Sequence, residues 1–337
     1  MSVQIHSDAD MPECLSSWDK QAAHAARLAG IHCIGQPTLG ACPPSPQGCF
    51  SRTAIVLLQN GQDVVVQFRL EPMDTTPFDL AHSILGDLVP AIREIQDTEL
   101  NRDGVYVYLM SCIPGKTWEQ AGLYRYIEIK AVVMQDLARV LSKCCISDGD
   151  TAQVIEDQVR PHLQRILKSE DPVILRFKGK AESLMYNLDS LKRLPLFLSH
   201  ADLNYMNIML DDDLQVSGLV DWEFSAALPF GMTFAHLSGL IGENIDGRFQ
   251  ITPDYDVVER AFWEEFLLHA PDTIRCLCEN QPELVQTSVT LGILLNAFII
   301  DGDKLVYNKV TPNALSIWLT YRIPMVRGAN APPFSVV

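Results

Sequence analysis

The chain has 337 residues, 47% of them hydrophobic and 20% charged, with a formal net charge of −16. This length suits one large or two modest domains of an ordinary globular protein. The acidic excess opposes nucleic acid or an anionic membrane surface as a partner, and no apolar run approaches the length of a membrane span. The polar start, Met1 to Asp10, lacks a charged-then-apolar leader pattern, so an intracellular, cytoplasmic protein is expected. Nine cysteines are an odd number without a C-x₂-C pair. They read as thiols in a reducing compartment rather than a disulfide framework or zinc site. Monomer is the default expectation.

Residues 16–29 carry apolar and alanine positions at helical spacing, ending before Gly30. Residues 31–50 are rich in Gly, Pro, Ser and Cys and read as loop with at most one short strand. Strands are predicted at Thr53–Leu58 and Val64–Leu70, joined through Asn60-Gly61, the strongest short signal for a type I′ hairpin. A helix follows at Pro77–Leu85, stopped by Gly86, and then strands at Ala91–Ile95 and Val105–Leu109. From Thr117 to Leu191 the periodicity is helical, with breaks near Ser147–Asp150 and Glu170–Pro172; Cys144-Cys145 and Cys276-x-Cys278 sit in helical patterns. After strands between 196 and 221, helical patterns return from 231 to about 323, and Val326–Val337 reads as a loose tail. Strands first and helices later predict an α+β fold with two lobes, residues 1–110 and 111–337.

One segment carries chemistry. His200-Ala201-Asp202-Leu203-Asn204-Tyr205-Met206-Asn207 lies between predicted strands Pro195–Ser199 and Ile208–Leu210. Asp211-Asp212-Asp213 turns the chain into a third strand, Gln215–Val220, which ends at Asp221-Trp222-Glu223. This order brings Asp202, Asn207 and Asp221 to one rim. Phosphoryl transfer needs positioning and charge neutralisation more than covalent help. Asp202 has the chemistry to accept the proton of an incoming hydroxyl. Asn207 and Asp221 offer the oxygen ligands that suit Mg²⁺. His200 reads as a brace for the loop backbone. The bland alternative is a set of ordinary loop residues bonding their own backbone; the strand context and the D-x-E at the hairpin end favour the functional one.

These segments resemble the aminoglycoside phosphotransferase and choline kinase-like family, in its fungal-type branch. Val64-Val65-Val66-Gln67-Phe68-Arg69, Tyr108 to Gly115 and Leu228-Pro229-Phe230-Gly231-Met232 agree with it, and the resemblance covers roughly residues 45–245. It implies a two-lobed protein-kinase-like fold, with a small antiparallel-sheet N-lobe that binds nucleotide and a larger, mainly helical C-lobe for catalysis and substrate. It implies ATP and Mg²⁺ as cofactors and a small-molecule acceptor phosphorylated on a hydroxyl or amine. Met110 to Cys112 would be the hinge whose backbone meets the adenine edge.

The sequence departs from the family pattern in the N-lobe. Lys20 is its only lysine and precedes the strands, so none stands where the third strand normally offers one to the phosphates. Gln67 and Arg69 occupy the polar face of that strand, either as phosphate-side groups or as surface residues. Asp79 and Asp74 are both open as the partner of that cation. The loop Ser45–Ser51 has one glycine; its backbone and Ser51 are candidates for phosphate contact, or it is a plain connector. Glu223 is open as a substrate, metal-side or loop-anchoring acid. Trp222, His82 and His236 read as core residues. Between Asp221 and Val285 twelve acids stand against three arginines, which fits either a pocket for a cationic acceptor or a solvated helix surface. A non-catalytic nucleotide-binding relative, a hydrolase using His200, Asp202 and Asp221 as metal ligands, and a fold reused in a natural-product pathway complete the alternatives.

Overall fold

The computed structural model describes residues 3–122, 126–245, 248–308, 311–328 and 331–334. The chain divides into two compact units, Met1–Pro114 and Gly115–Val337.

The first unit is built on a five-stranded antiparallel sheet. Its strands are β1 (Thr38–Cys42), β2 (Arg52–Leu58), β3 (Val64–Arg69), β4 (Ile92–Ile95) and β5 (Tyr106–Ser111), in the order β1-β2-β3-β5-β4. Alternation along β3 sends Val66 and Phe68 into a core with Ala54, Val56, Val107 and Leu109. Ala25, Leu28 and Ala29 of the helix Trp18–His32 belong to the same core. Each fully buried Val or Phe contributes about 1.5–3 kcal/mol, so this face fixes the register. The helix runs through Gly30 rather than stopping before it. The β2–β3 hairpin is not type I′. Only Gly61 takes a positive φ, 74°, and the Asp63 carboxylate accepts the Leu58 N–H at 3.0 Å, which widens the turn. The helix Thr76–Leu85 ends at Gly86.

The second unit holds two three-stranded sheets among helices. One has the order β10-β9-β6, with β6 Lys116–Thr117, β9 Ile208–Leu210 and β10 Val216–Leu219. The other has the order β11-β8-β7, with β7 Cys145–Ile146, β8 Leu196–Ser199 and β11 Ala226–Pro229. Gly115, at φ 108°, precedes β6; a Cβ there would lie 2.1 Å from the Leu210 carbonyl oxygen, so only glycine lets β6 reach β9. Phe197 of β8 packs on Phe230, with ring centroids 5.2 Å apart, within a cluster that includes Phe234, Phe262, Trp263 and Phe266. β8 is therefore anchored on the hydrophobic core just before the chain enters the loop at His200.

Three expectations fail here. Cys144 lies beyond the end of the helix Ile127–Leu141 and Cys145 is in a strand, because Cys145–Ile146 pairs with β8. Two short hairpins, β12–β13 (Glu243–Ile245 and Arg248–Gln250) and β14–β15 (Ile299–Asp301 and Lys304–Val306), interrupt the helical C-terminal half. The tail is not loose over its described part. Arg327 pairs with buried Glu259 at 2.6 Å, and Phe334 is buried against Tyr255 and Tyr321.

Candidate active site

The loop leaving β8 is held by its own polar groups. His200, 2% exposed, donates from Nε2 to the Val220 carbonyl at 2.8 Å, and its Nδ1 accepts the Asp202 N–H at 3.2 Å. Both ring nitrogens are thus engaged. Burial pushes the imidazole down to about 4, against the opposing effect of the Val220 bond, so it stands neutral in one tautomer. Trp222 packs beside it, ring centroids 4.6 Å apart, and donates its indole N–H to the Leu219 carbonyl at 2.8 Å. His200 ties the beginning of the loop to the end of the hairpin, and the engagement of both nitrogens removes it as a metal ligand.

Asp202 is exposed at the loop tip. Its Oδ1 accepts from the Asn204 amide at 2.9 Å and its Oδ2 from the Asn207 amide at 3.2 Å. Asn207, 7% exposed, also donates to the Asp202 carbonyl at 2.7 Å, and its own carbonyl accepts from Val220 N–H at 3.0 Å. Its amide nitrogen is therefore committed to Asp202, and its amide oxygen accepts no hydrogen bond among the described residues. Asp221 follows Val220 directly, exposed, at φ 65°. That left-handed conformation is tolerated by Asp better than by most residues. Glu223 is half-buried two residues on, beyond buried Trp222. His200 donates to the Val220 carbonyl and the Asn207 carbonyl accepts the Val220 N–H, so the residue before Asp221 is bonded to both ends of the Asp202 loop. An amide oxygen and a carboxylate are donors of the kind a hard cation takes. Among the described residues no group of three His, Cys, Asp or Glu forms a metal cluster.

Sequence reasoning passed over two neighbours of this loop. Tyr205 donates its hydroxyl to the Leu240 carbonyl at 2.5 Å and stacks edge-on against Trp118 at 4.8 Å, anchoring the loop's middle. His236 lies 3.3 Å from the Asn296 amide nitrogen and feels the Asp202 charge, although burial, the larger effect, lowers its basicity. An isolated histidine in an apolar segment gave no signal of that proximity.

The predicted nucleotide-side residues lie in the first unit. Arg69 is only 6% exposed, with its guanidinium against Gln67 Oε1 and Met73 Sδ, both at 3.5 Å. It is not a surface group. Gln67 is half-buried and sits opposite Tyr108 on β5. Asp74 accepts the Thr76 N–H at 2.9 Å, which caps the following helix. Ser51 is buried and its hydroxyl bonds Thr53 at 3.3 Å. The Gln47 side chain clamps the loop by bonding both backbone groups of Thr53. Met110 lies inside β5, paired with Val65 and Ile92, and the Cys112 N–H is donated to the Asp63 carbonyl at 3.3 Å. The Cys112 N–H is thus engaged with the residue that leads into β3.

Five of the acids between Asp221 and Val285 are paired with arginines. Asp256 and Glu259 pair with Arg327, Glu265 with Arg139, Asp272 with Arg275 and Glu283 with Arg322.

An antiparallel sheet followed by a helical unit bearing this acid–amide–acid set is the kinase-like class of α+β fold. Residues 78–265 match the APH phosphotransferase enzyme family, and the chain belongs to it. Solved structures of similar fold include a Plasmodium vivax ethanolamine kinase, with a TM-score of 0.53 and 11% identity over 83% of this chain and 80% of that one. A thermostable mutant of aminoglycoside phosphotransferase APH(4)-Ia, in ternary complex with AMP-PNP and hygromycin B, gives 0.52 and 14% over 82% and 89%. The macrolide 2'-phosphotransferase MphH from Brachybacterium faecium gives 0.50 and 15% over 81% and 97%. At these identities the likeness shows the fold. No curated protein matches the sequence.

Proposed function

We propose that this member of the phosphotransferase family is an active, ATP- and Mg²⁺-dependent kinase that phosphorylates a hydroxyl group of a small metabolite. The observation that supports the reading is the hydrogen-bonded loop in which Asn207 holds the Asp202 carboxylate and both His200 and Asn207 bond Val220, the residue before Asp221. Asp202 orients the acceptor hydroxyl and takes its proton as the oxygen attacks the γ-phosphorus and the bond to the β-phosphate oxygen breaks. Asn207 holds the Asp202 carboxylate with its amide nitrogen and, with its amide oxygen, would join Asp221 in binding Mg²⁺. When bound, the ion supplies neutralising charge to the phosphates. His200, neutral and locked, fixes the distance between the loop and Asp221 rather than moving protons. Arg69 is the nucleotide-side cation in this reading, with Gln67 beside it. Glu223 stands on the acceptor side. Nine unpaired cysteines support an intracellular location.

A second reading, a nucleotide-binding relative without catalysis, draws support from the absence of an N-lobe strand lysine and from the inward-tied Ser51. Thermal unfolding with Mg²⁺-ATP separates binding from its loss. A ligand at a hundredfold excess over Kd stabilises the folded state by about 2.7 kcal/mol. Wild type is expected to show a Mg²⁺-dependent rise in Tm that Asp221→Ala abolishes. An equal rise in both proteins would remove Asp221 from the cation site, and no rise in wild type at millimolar nucleotide would sink the kinase reading.

A further inference from the structure

The loop that carries Asp202 is tied to Val220 near both of its ends. Its middle is held by a second set of contacts. Tyr205 is fixed at three points. Its hydroxyl donates to the Leu240 carbonyl at 2.5 Å, its own carbonyl accepts the Glu119 N–H at 3.1 Å, and its ring meets Trp118 edge-on, centroids 4.8 Å apart. Trp118 is fully buried. Leu203, two residues before Tyr205, is buried in a small apolar space that Leu137, Leu141, Leu237 and Leu240 also line.

Both supports of Tyr205 use groups that helices leave open, the first N–H and the last carbonyl groups. In the helical turn Trp118–Ala121, Thr117 and Gln120 cap each other at 3.1 Å in both directions, and the Glu119 N–H goes out to Tyr205. The turn follows β6, which pairs with β9 through Lys116 and Leu210. In the helix Leu237–Ile241 the last two carbonyls point outward. Leu240 accepts from Tyr205, and Ile241 accepts from Lys130 Nζ at 3.0 Å. Lys130 lies in the helix Ile127–Leu141 and is 1% exposed. A buried ammonium is costly unless it is hydrogen-bonded, and a helix C-terminus favours a cation. Lys130 thus holds the helix end that Tyr205 bonds.

The residue next to Tyr205 reaches the reacting carboxylate. The Asn204 amide nitrogen donates to Asp202 Oδ1 at 2.9 Å and to the Asp202 carbonyl at 3.1 Å. Its amide oxygen accepts the Met206 N–H at 2.8 Å, and its backbone carbonyl accepts the Asn207 N–H at 3.0 Å. Asn204 is therefore bonded on both sides of Tyr205. Asn204 on Oδ1 and Asn207 on Oδ2 together fix the plane of the Asp202 carboxylate.

Resting on the kinase reading above, we infer that Tyr205 is a positioning residue for phosphoryl transfer. It acts through Asn204, keeping the Asp202 carboxylate in the geometry that receives the acceptor's proton. A general base must stay within hydrogen-bond reach of the proton it takes. Loss of the anchor therefore costs rate rather than nucleotide affinity.

The test uses the full chain with isotope-labelled asparagine, and Mg²⁺-ATP alone as substrate, with water in the acceptor's place. The water oxygen takes the γ-phosphoryl group, its proton goes to Asp202, and ADP leaves. The Asn204 side-chain amide signal is identified by its loss in Asn204→Ala, and the other asparagine signals report the intact fold. Tyr205→Phe keeps the ring beside Trp118 and removes the bond to Leu240. It is expected to shift the Asn204 signal and to lower kcat for ADP release about tenfold, the effect of one lost hydrogen bond, with the KM for ATP unchanged. In an Asn204→Ala background Tyr205→Phe should lower kcat no further, because residues that act as a unit are not additive. An Asn204 signal that Tyr205→Phe leaves in place, or the same fractional loss of kcat with and without the Asn204 side chain, would overturn the assignment. A chain that shows the shift but no Mg²⁺-ATP turnover keeps the Tyr205 anchor and loses the kinase reading. Turnover with an unmoved signal loses the anchor alone.

Discussion

The loop from His200 to Asp221 and the face of β3 that carries Gln67 and Arg69 are held together in different ways. In the first, the bonds around Asp202 span short stretches of chain, although Tyr205 reaches out to Leu240. Asn204 and Asn207 reach back to Asp202 across two and five residues, and His200 reaches Val220 across one hairpin. In the second, the organising contacts are remote. Met73 N–H bonds the Tyr108 hydroxyl 35 residues away, and Arg52 bonds the Ile5 carbonyl 47 residues away and pairs with Asp8 at 2.7 Å. A locally closed loop keeps its geometry through its own amides and imidazole. A face built from distant segments depends on how the whole sheet is packed. Substitutions in the two regions should therefore fail differently, the first in chemistry and the second in nucleotide affinity.

The sharpest contrast is expected from Asp202→Asn. The substitution keeps the size of the side chain and lies at an exposed loop tip, so the urea midpoint should move little. General-base catalysis is worth about 10²–10⁴-fold, and Mg²⁺-ATP turnover, followed as ADP release with acceptor present, should fall by that factor while nucleotide binding persists. Turnover within threefold of wild type would take the proton-accepting role away from this carboxylate.

Acid should separate the regions next. His200 is held near 4 by burial, well below an unfolded histidine near 6.5. Between those values the unfolded chain binds the extra proton and the folded one does not. The stability it contributes is complete above pH 6.5 and is lost as pH falls toward 4, by about 3 kcal/mol. His236 and His162 are shifted in the same direction by burial, so the slope is shared within the second unit. His200→Gln should flatten the dependence of chemical-denaturation stability on pH between 6.5 and 4. An unchanged slope would place the titration elsewhere.

The same contrast governs what could be read from the residues alone. The α+β kinase-like fold was legible because β3 alternates and because Gly86, Gly115 and the triple aspartate punctuate the chain. The spacing of Asp202, Asn207 and Asp221 was legible because hairpin geometry converts sequence offsets into neighbours. β7 was missed since Cys145-Ile146 becomes a strand only by pairing with β8, 50 residues on. The anchored tail was missed because nothing near Arg327 in sequence announces Glu259. The twelve acids left a cationic pocket and a solvated surface both open from count alone, whereas the structure pairs Asp256 and Glu259 with Arg327, Glu265 with Arg139 and Glu283 with Arg322, contacts between distant segments. For Arg69, alternation gives the face without the depth, so a phosphate-side group and a surface residue are both open from sequence.

Arg69 is also the mildest test of the comparison. Its guanidinium is buried against Met73 and Gln67, and Arg presents a planar fork where lysine presents a compact charge. If it meets phosphate, Arg69→Met should raise the KM for ATP about tenfold, as expected for one charge-assisted hydrogen bond. The rate at saturating nucleotide should change less. Arg69→Lys keeps the charge in compact form, and should recover part of the affinity. A structural role leaves a different signature: both variants would lower the urea midpoint and leave the KM for ATP where it was. Reading KM and stability on the same two proteins therefore decides whether the remote-contact face of β3 serves the nucleotide or only the sheet.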